Sequence, residues 1–358
     1  MPTSRAAGSS STIRDVARIA GVSVATVSRA MNGHENVSAE TKARILAVAK
    51  SLHFSPSGAA RSLIMRRNQA IGAVLPDLHG EYFSELIRGI DLAAREHDLH
   101  LLVSGSHGDA KAAASAIRAM RGRVDGLLVL WPGLDAEGLD ADLSRDMPTV
   151  LINTHSRRAG MASLAIDNHG GAMAMMKHLV DLGHRRIAFI GGPDNNYEAR
   201  ERLRGCHDAA AAAGAQLQVI PGDFTEVSGH AAGVRICHQS ERPTAVFAGN
   251  DMMAIGCLSA LSEAGVRVPQ DMSLCGFDDI PIARYITPSL TTVRARIADL
   301  GTLSLQRLVA QIQRHARPAE MRQTLDVDLI VRASTTRAPK QGARHSPRPP
   351  HQKDRTDP

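Results

Sequence analysis

Short apolar segments alternate with amphipathic ones from Ala70 to Phe277, and this alternation occurs twice. The first series of apolar segments reads AIGAVLP, LHLLVS, VDGLLVL and PTVLIN, and the second reads RIAFIGG, QLQVI, TAVFAG and DMSLCGF. Apolar runs of this length separated by helical patterns predict βαβ units, whose strands pair in parallel. The sequence therefore predicts an α/β region of two parallel-sheet subdomains with a cleft between them, where such sheets bind ligands.

One further helix and one further strand are predicted after these two series. The helix is centred on Leu300–Gln313, and the strand is the segment LDVDLIV, residues 325–331. Because both follow the second series, we expect them to weave back between the two subdomains.

The amino-terminal residues predict three short helices. Thr12 can cap a helix from Ile13 to about Ala20, and Ser23 can cap a second helix, Val24–Asn32. Ser38 opens a third helix. The residues expected to form its buried stripe are Ile45, Leu46, Ala49 and Leu52. Three helices of this size make a small bundle of the kind that carries a helix-turn-helix.

The second of these helices has two distinct faces. The apolar side chains expected to pack inward are Val27, Ala30 and Met31. The side chains expected to face outward are Val24, Ala25, Ser28 and Arg29. An exposed arginine on a helix that follows a tight turn favours a DNA-reading role.

Positive charge is concentrated at the two ends of the chain. Residues 1–67 contain 10 Lys and Arg against 3 Asp and Glu, and residues 337–358 contain 6 against 2. The region between them is net negative, although the whole chain carries +6. A basic terminal domain on an acidic body is typical of a nucleic-acid reader joined to a sensing domain, because phosphate neutralisation supplies much of the affinity.

The run TIRDVARIAGVSVATVSRAMNG resembles the helix-turn-helix of the LacI/GalR (lactose-repressor) family. The resemblance continues through VSAETKARILAVAKSLHFSPSGAARSL, LVDLGHRRIAFIGG, EARERLRG, GFDD and PSLTTV to about Arg337. It implies an all-α helix-turn-helix head and an α/β, periplasmic-binding-protein-like sensing domain. The implied divisions are a disordered leader (1–11), the head (12–56), a hinge helix or linker (57–68), an effector-binding and dimerisation domain of two subdomains (69–336) and a disordered basic tail (337–358).

The resemblance also implies roles in DNA binding. Val24, Ala25 and Arg29 stand at base-reading positions. The chemistry agrees, because the arginine fork can bind guanine O6 and N7, and the two apolar side chains can contact a thymine methyl group. The residues placed to contact phosphate are Thr12, Ser23, Thr26, Ser28 and Asn32. For each of them, helix capping is an equally good interpretation.

The segment after the head resembles the hinge of the family. Leu63 stands where the family inserts a leucine between base steps of the minor groove, with Ala60 beside it. An ordinary linker leucine is the alternative interpretation. Ser57 and Gly58 depart from the usual Pro-Asn-Ala start of the hinge, which weakens the case for a stable hinge helix.

The resemblance places the ligand in the cleft of the sensing domain. The positions carried over are Asp77, Tyr82, Phe83, Asn153, Arg202, Phe224, Asn250 and Asp278. Arginine, aspartate and asparagine pair with hydroxyl groups, and aromatic side chains offer a stacking face, so we expect a saccharide effector. Each aromatic side chain taken alone is more often a core residue, and Trp131 has no family position behind it.

Other classes of protein lack their motifs in this sequence. No G-x-G-x-x-G follows a predicted strand, and no G-x-S-x-G occurs, so a dehydrogenase or an α/β-hydrolase is not indicated. An exported binding protein would need a signal peptide, and the start MPTSRAAGSSS has no apolar segment. We therefore expect a cytoplasmic regulator that is no enzyme, with operator DNA and a small-molecule effector as partners and no role at a membrane.

Cysteine and histidine spacing does not indicate a metal site. The four cysteines form no C-x-x-C pair, and the sixteen histidines are scattered, so neither a metal nor a cofactor is expected. The tail carries no leucine heptad that would assemble a tetramer. From the family and from operator symmetry we expect a homodimer.

Overall fold

The chain forms two units, one that ends at Gln69 and one that begins at Ala70. The computed structural model describes residues 11–31, 36–54, 67–133, 143, 147–154, 161–314 and 322–339. Four predicted parts lie outside these residues: residues 1–10 of the leader (1–11), the end of the second helix at Asn32, residues 57–66 of the hinge with Ala60 and Leu63, and residues 340–358 of the tail.

The first unit is the predicted bundle of three helices. They are α1 (Ile13–Ala20), α2 (Val24–Met31 as described) and α3 (Ala39–Ser51). Ser23 and Ser38 act as caps, since their hydroxyl oxygens accept hydrogen bonds from the backbone N–H of Thr26 (3.1 Å) and Thr41 (3.3 Å). Gly21 ends α1 with φ of +66°, a left-handed conformation that glycine adopts without strain. The buried residues of the three helices are Val16, Ala17, Ala20, Val27, Ala30, Ile45 and Ala49.

The prediction that Leu46 belongs to the buried stripe of α3 is wrong. Leu46 is 46% exposed, whereas Ile45 is fully buried and Val48 and Leu52 pack against the same core. Each residue turns a helix by 100°, so the stripe that contains Ile45 and Ala49 leaves the next residue on the outer face.

Because of this exposure, Leu46→Ala is expected to change the free energy of unfolding of the first unit by less than about 0.5 kcal/mol. Ile45→Val, which removes a single buried methyl group, should cost about 0.5–1.5 kcal/mol. Chemical denaturation of both variants measures the difference. A cost for Leu46→Ala equal to or larger than that for Ile45→Val would contradict this placement.

The second unit contains a six-stranded sheet that forms most of its amino-terminal subdomain. The strand order is β11-β5-β4-β3-β1-β2, and every neighbouring pair is parallel. The strands are β1 (Ala70–Leu75), β2 (His100–Gly105), β3 (Gly126–Leu130), β4 (Thr149–Ile152), β5 (Ala162–Ile166) and β11 (Arg322–Leu325). The described helices of this subdomain are α4 (Glu81–Glu96), α5 (Ala110–Met120) and α10 (Ile297–Arg314).

Alternate side chains of this sheet face different helices. Ile71 and Leu75 belong to the same buried cluster as Leu86 of α4 and Leu305 of α10. Val74 instead belongs to the cluster that contains residues of α5. This two-residue period explains why β1 is apolar at every position, since both of its faces are covered.

The carboxyl-terminal subdomain contains a four-stranded parallel sheet in the order β7-β6-β8-β9. Its strands are β6 (Arg186–Ile190), β7 (Gln216–Ile220), β8 (Ala245–Ala248) and β9 (Ser273–Cys275). Its helices are α6 (Asn168–Asp181), α7 (Tyr197–Ala213), α8 (Glu226–Cys237), α9 (Asp251–Glu263) and a short 3₁₀ helix (Pro281–Arg284). A separate antiparallel pair joins β10 (Thr292–Arg294) to β12 (Asp328–Ile330).

The chain passes between the two subdomains three times, after β5, after β10 and after β11. The backbone N–H of Asp167 donates to the Leu325 carbonyl at 3.0 Å, and Arg296 pairs with Asp328 at 2.8 Å, so the three passages run side by side.

The predicted alternation of two series is confirmed, but the prediction of LDVDLIV as one strand is wrong. Leu325 ends β11 in the large sheet, whereas Asp328 begins β12 beside β10, and the two residues between them make the passage.

Within the described part of the chain, none of the helices combines the length and the apolar character that crossing a bilayer requires.

Candidate DNA-binding surface and ligand cleft

The outer face of α2 carries the three predicted base-reading residues. Val24 is 42% exposed, and Ala25 and Arg29 are also exposed, because Val27 and Ala30 hold the other face of the helix in the core. Arg29 makes no hydrogen bond or ion pair with a described residue, so its planar group has all its donors available.

The residues at the helix ends that are predicted to contact phosphate already make hydrogen bonds within the head. The Thr12 hydroxyl donates to the Asp15 carboxylate at 2.8 Å, and the Ser23 and Thr26 hydroxyls lie 2.9 Å apart. Ser28 is partly buried. A hydroxyl oxygen that makes one such bond keeps further hydrogen-bonding capacity, so these contacts are compatible with a second bond to a phosphate.

A cavity of 590 Å³ lies in the second unit and is lined by residues from both subdomains. Seven of the eight predicted ligand residues line it: Asp77, Tyr82, Phe83, Arg202, Phe224, Asn250 and Asp278. Most of them follow the carboxyl ends of parallel strands, where loops from both sheets meet.

Arg202 is a buried cation of this cavity, with 3% of its surface exposed. Its Nε donates to Asn168 Oδ1 at 2.8 Å and its Nη1 donates to the Gly249 carbonyl at 2.5 Å. Its guanidinium carbon lies 3.9 Å from the centroid of the Phe277 ring. The protein thus uses two edges of the guanidinium to fix its plane, and only the remaining N–H groups can reach a ligand.

Two buried carboxylates share the remaining edge of Arg202. Its Nη2 lies 3.1 Å from Asp278 Oδ1 and 3.8 Å from Glu198 Oε1. Burial raises the pKa of Glu198 to about 7, with Arg202 opposing that shift, and burial likewise raises the pKa of Asp278 to about 6. Arg202 therefore only partly offsets the cost of burying the two negative charges.

Asn153, the eighth predicted ligand residue, supports the cavity from behind. It is not among the residues that line it, and its Nδ2 donates to the Tyr82 hydroxyl at 2.8 Å and to Glu198 Oε1 at 2.9 Å. Its Oδ1 accepts from the Ile166 N–H. Because α4 carries Tyr82 and α7 carries Glu198, this amide joins the two subdomains.

Phe224 and Asn250 form one wall. The Asn250 amide donates to the Phe224 carbonyl at 2.9 Å, and its oxygen caps α9 by accepting from the Met253 N–H. The Phe224 ring lies over Gly192, where a Cβ would come within 2.3 Å of it. A side chain at position 192 would therefore displace the ring from the cavity.

Sequence reasoning missed Glu198 and undervalued Trp131. Glu198 lies four residues before Arg202 on α7, a spacing that places both side chains on one helix face and could have identified it. Trp131 lines the cavity and is 5% exposed, and its indole Nε1 has no hydrogen-bond partner in the part of the chain that the structure describes. A buried donor without a partner costs free energy unless a ligand supplies an acceptor.

The chain is similar to known regulators along nearly its whole length. Residues 12–57 match the family described as bacterial regulatory proteins, lacI family, and residues 176–335 match a periplasmic binding protein-like domain. The HTH-type transcriptional repressor PurR of Edwardsiella ictaluri (strain 93-146) is 37% identical over 339 residues, which cover 92% of this chain and 98% of that protein.

Two solved structures show the same architecture. The lac repressor dimer bound to operator and the anti-inducer ONPF has a TM-score of 0.83 and 30% identity, over 92% of this chain and 100% of that chain. The complex of the transcriptional regulator CelR with cellobiose has a TM-score of 0.67 and 29% identity, over 90% and 99%.

Proposed function

Because this chain belongs to the LacI family of bacterial regulatory proteins, we propose that a saccharide in the cleft of its second unit is the effector that controls it. The protein is a sequence-specific DNA-binding transcriptional repressor under effector control, and it is not an enzyme.

The composition of the cavity wall supports a saccharide. Tyr82, Phe83 and Phe224 offer flat apolar faces, and Arg202, Asn250 and Asp278 offer donors and acceptors. A sugar ring has the same division, with C–H faces and an edge of hydroxyl groups. The similar CelR regulator was solved with cellobiose, which is consistent with this class of ligand.

A titration of saccharides against a labelled operator tests the proposal. Trp131 is the one tryptophan of the chain and lines the cavity, so its fluorescence reports occupancy directly. We expect one or more neutral mono- or disaccharides, with cellobiose as the first probe, to change both the fluorescence and the operator affinity. Binding of a non-saccharide metabolite alone, with no response to any sugar, would refute the saccharide assignment.

We further propose that the repressor acts as a homodimer in the cytoplasm. Two heads would then lie in successive major grooves of a pseudo-palindromic operator, and Ala60 and Leu63 of each hinge would enter the minor groove at its centre. The similar lac repressor was solved as a dimer on its operator. Sedimentation of the protein with and without operator DNA measures the assembly.

Leu63→Ala is expected to weaken operator binding about tenfold and to reduce the bend of the DNA, because the inserted side chain is the wedge that opens the base step. A gel phasing assay measures the bend. Leu46→Ala serves as the control, since it removes an exposed leucine of the head without touching the hinge. An unchanged bend with Leu63→Ala would show that this leucine is an ordinary linker residue.

A further inference from the structure

The cavity wall is strongly unbalanced in charge. Among the described residues that line it there is one guanidinium, that of Arg202, and two imidazoles, those of His79 and His107. The carboxylates that line it are Asp77, Glu81, Glu198, Asp223, Glu226 and Asp278. They come from both subdomains, and a cleft with low-dielectric walls focuses such a field on whatever enters.

The buried part of the wall has the same imbalance at short range. Glu198 and Asp278 are each more than nine-tenths buried, and both face the Nη2 of Arg202. The other groups around them are the amides of Asn153 and Asn168, the phenol of Tyr82 and the buried carboxyl of Asp251, none of which adds a positive charge. One guanidinium therefore faces two carboxylates. Either one negative charge remains unbalanced beside the ligand, or one of the two carboxylates binds a proton.

The unpaired groups of the wall indicate what would balance this excess. Carboxylate oxygens accept hydrogen bonds, which hydroxyl or ammonium groups of a ligand supply. The Nε1 of Trp131 is a buried donor without a partner among the described residues, and a ring or hydroxyl oxygen of a ligand would satisfy it. A phosphate or carboxylate on the ligand would instead meet like charges in a poorly solvated site.

We propose that the cleft selects its effector by charge, because Glu198 and Asp278 share the single guanidinium of Arg202. The effector is an uncharged or amine-bearing polyhydroxyl compound. The phosphorylated or carboxylated counterpart of that compound is excluded. This inference rests on the proposed saccharide function and narrows it.

Matched probes test the selection on the intact repressor at pH 7.5. The uncharged probes are glucose and cellobiose, the amine-bearing probe is glucosamine, and the anionic probes are glucose 6-phosphate and cellobionate. Trp131 fluorescence measures their binding. We expect the anionic member of each pair to bind at least roughly tenfold more weakly than its uncharged partner. An anionic probe that binds as tightly as its uncharged partner overturns the proposal.

Glu198→Gln supplies the second arm, because it removes one charge and keeps an oxygen that can accept from Asn153. The ratio of anionic to uncharged affinity should rise by roughly ten- to a hundredfold in this variant. Glu241→Gln is the matched control, since Glu241 is an exposed glutamate outside the cavity, and it should leave the ratio unchanged. An equal ratio in both variants would show that Glu198 does not set the selection.

A ligand-free measurement separates this inference from the saccharide assignment. The pKa of Glu198 is about 7 in the folded protein and lower in the unfolded chain. The contribution of Glu198 to the stability of the fold therefore decreases as the pH rises, and it is smallest above about pH 7. Between pH 5 and pH 8 the wild-type melting temperature should fall by roughly 2–6 °C relative to that of Glu198→Gln. If no sugar binds but this difference appears, the saccharide assignment fails and the charge imbalance stands. If the two proteins have parallel profiles, the imbalance is absent and the proposal fails.

Discussion

Arg202→Ala is expected to give a repressor whose operator binding no longer responds to its effector. The substitution removes the cation that Glu198 and Asp278 share and leaves both carboxylates buried without a compensating positive charge. Breaking a buried ion pair in this way typically lowers the free energy of unfolding by about 3–5 kcal/mol. A lost hydrogen bond to a charged group should weaken effector binding by roughly ten- to a hundredfold.

Operator binding with and without effector, together with thermal unfolding, measures both effects. Arg204→Ala is the matched control on the same helix, because Arg204 is 54% exposed and pairs with Glu201 at the surface. That control should cost less than about 1 kcal/mol and keep the response. If Arg202→Ala fails to fold, Arg202→Lys keeps the charge and removes the fork, and it tests the effector arm alone.

The same variant also reports the direction of the switch. If the effector releases the repressor from DNA, Arg202→Ala should remain bound at effector concentrations that release the wild type. If the effector is needed for DNA binding, the variant should lose repression. A folded variant with unchanged effector affinity would instead make Arg202 a structural residue and would refute its role in the pocket.

Arg29→Ala is expected to weaken binding to the specific operator by about 1–3 kcal/mol, which is roughly a five- to 150-fold loss. Val24 and Ala25 offer only apolar contact, so the arginine is the one strong donor among the three positions predicted to read bases. Binding to random DNA should change much less, because phosphate contacts supply most of that affinity.

Arg18→Ala provides the comparison for Arg29, since it removes the same charge from the same unit. Arg18 lies on α1, is 73% exposed and pairs with Asp15. Its loss should weaken specific and random binding by similar factors. Footprinting and competition with random DNA measure the two ratios. Equal losses on both kinds of DNA for Arg29→Ala would show that Arg29 binds phosphate and does not read bases.

The sequence predicted those parts of the fold whose pattern is local. The eight apolar runs all contain strands. In β1, β3, β4, β6, β8 and β9 nearly every residue is buried, and strands covered on both faces are apolar along most of their length, whereas the edge strands β2 and β7 are partly exposed and include polar residues. β5 was missed because its sequence, ASLAI, is short and rich in residues with weak strand preference. The split of LDVDLIV between two sheets depends on which distant strand each half pairs with, and no local pattern records that.

The candidate site shows the same limit. Arg202 and Asp278 were found from family motifs, whereas Glu198 was missed. That Glu198 shares the Arg202 guanidinium with Asp278 depends on how α7 faces the residues that follow β9. Asn153 was assigned to the ligand by its position in the family resemblance, whereas its hydrogen bonds to Tyr82 and Glu198 depend on the packing of the two subdomains against each other. The sequence therefore indicated which residues lie in or near the cavity, whereas the hydrogen bonds and ion pairs between them depend on the three-dimensional packing.

The three passages between the subdomains also impose an order on biosynthesis. The four strands of the carboxyl-terminal sheet have all left the ribosome once Cys275 has emerged, whereas the amino-terminal sheet still lacks its edge strand, β11, and the covering helix α10. Until α10 has also emerged, Gly89 of α4 and Gly126 of β3 lack their closest neighbours from that helix, Ala298 and Leu308. The half of the sensing domain that is translated first is therefore the half that is completed last, and a nascent chain must keep its apolar strands from aggregating until nearly all of it has been made.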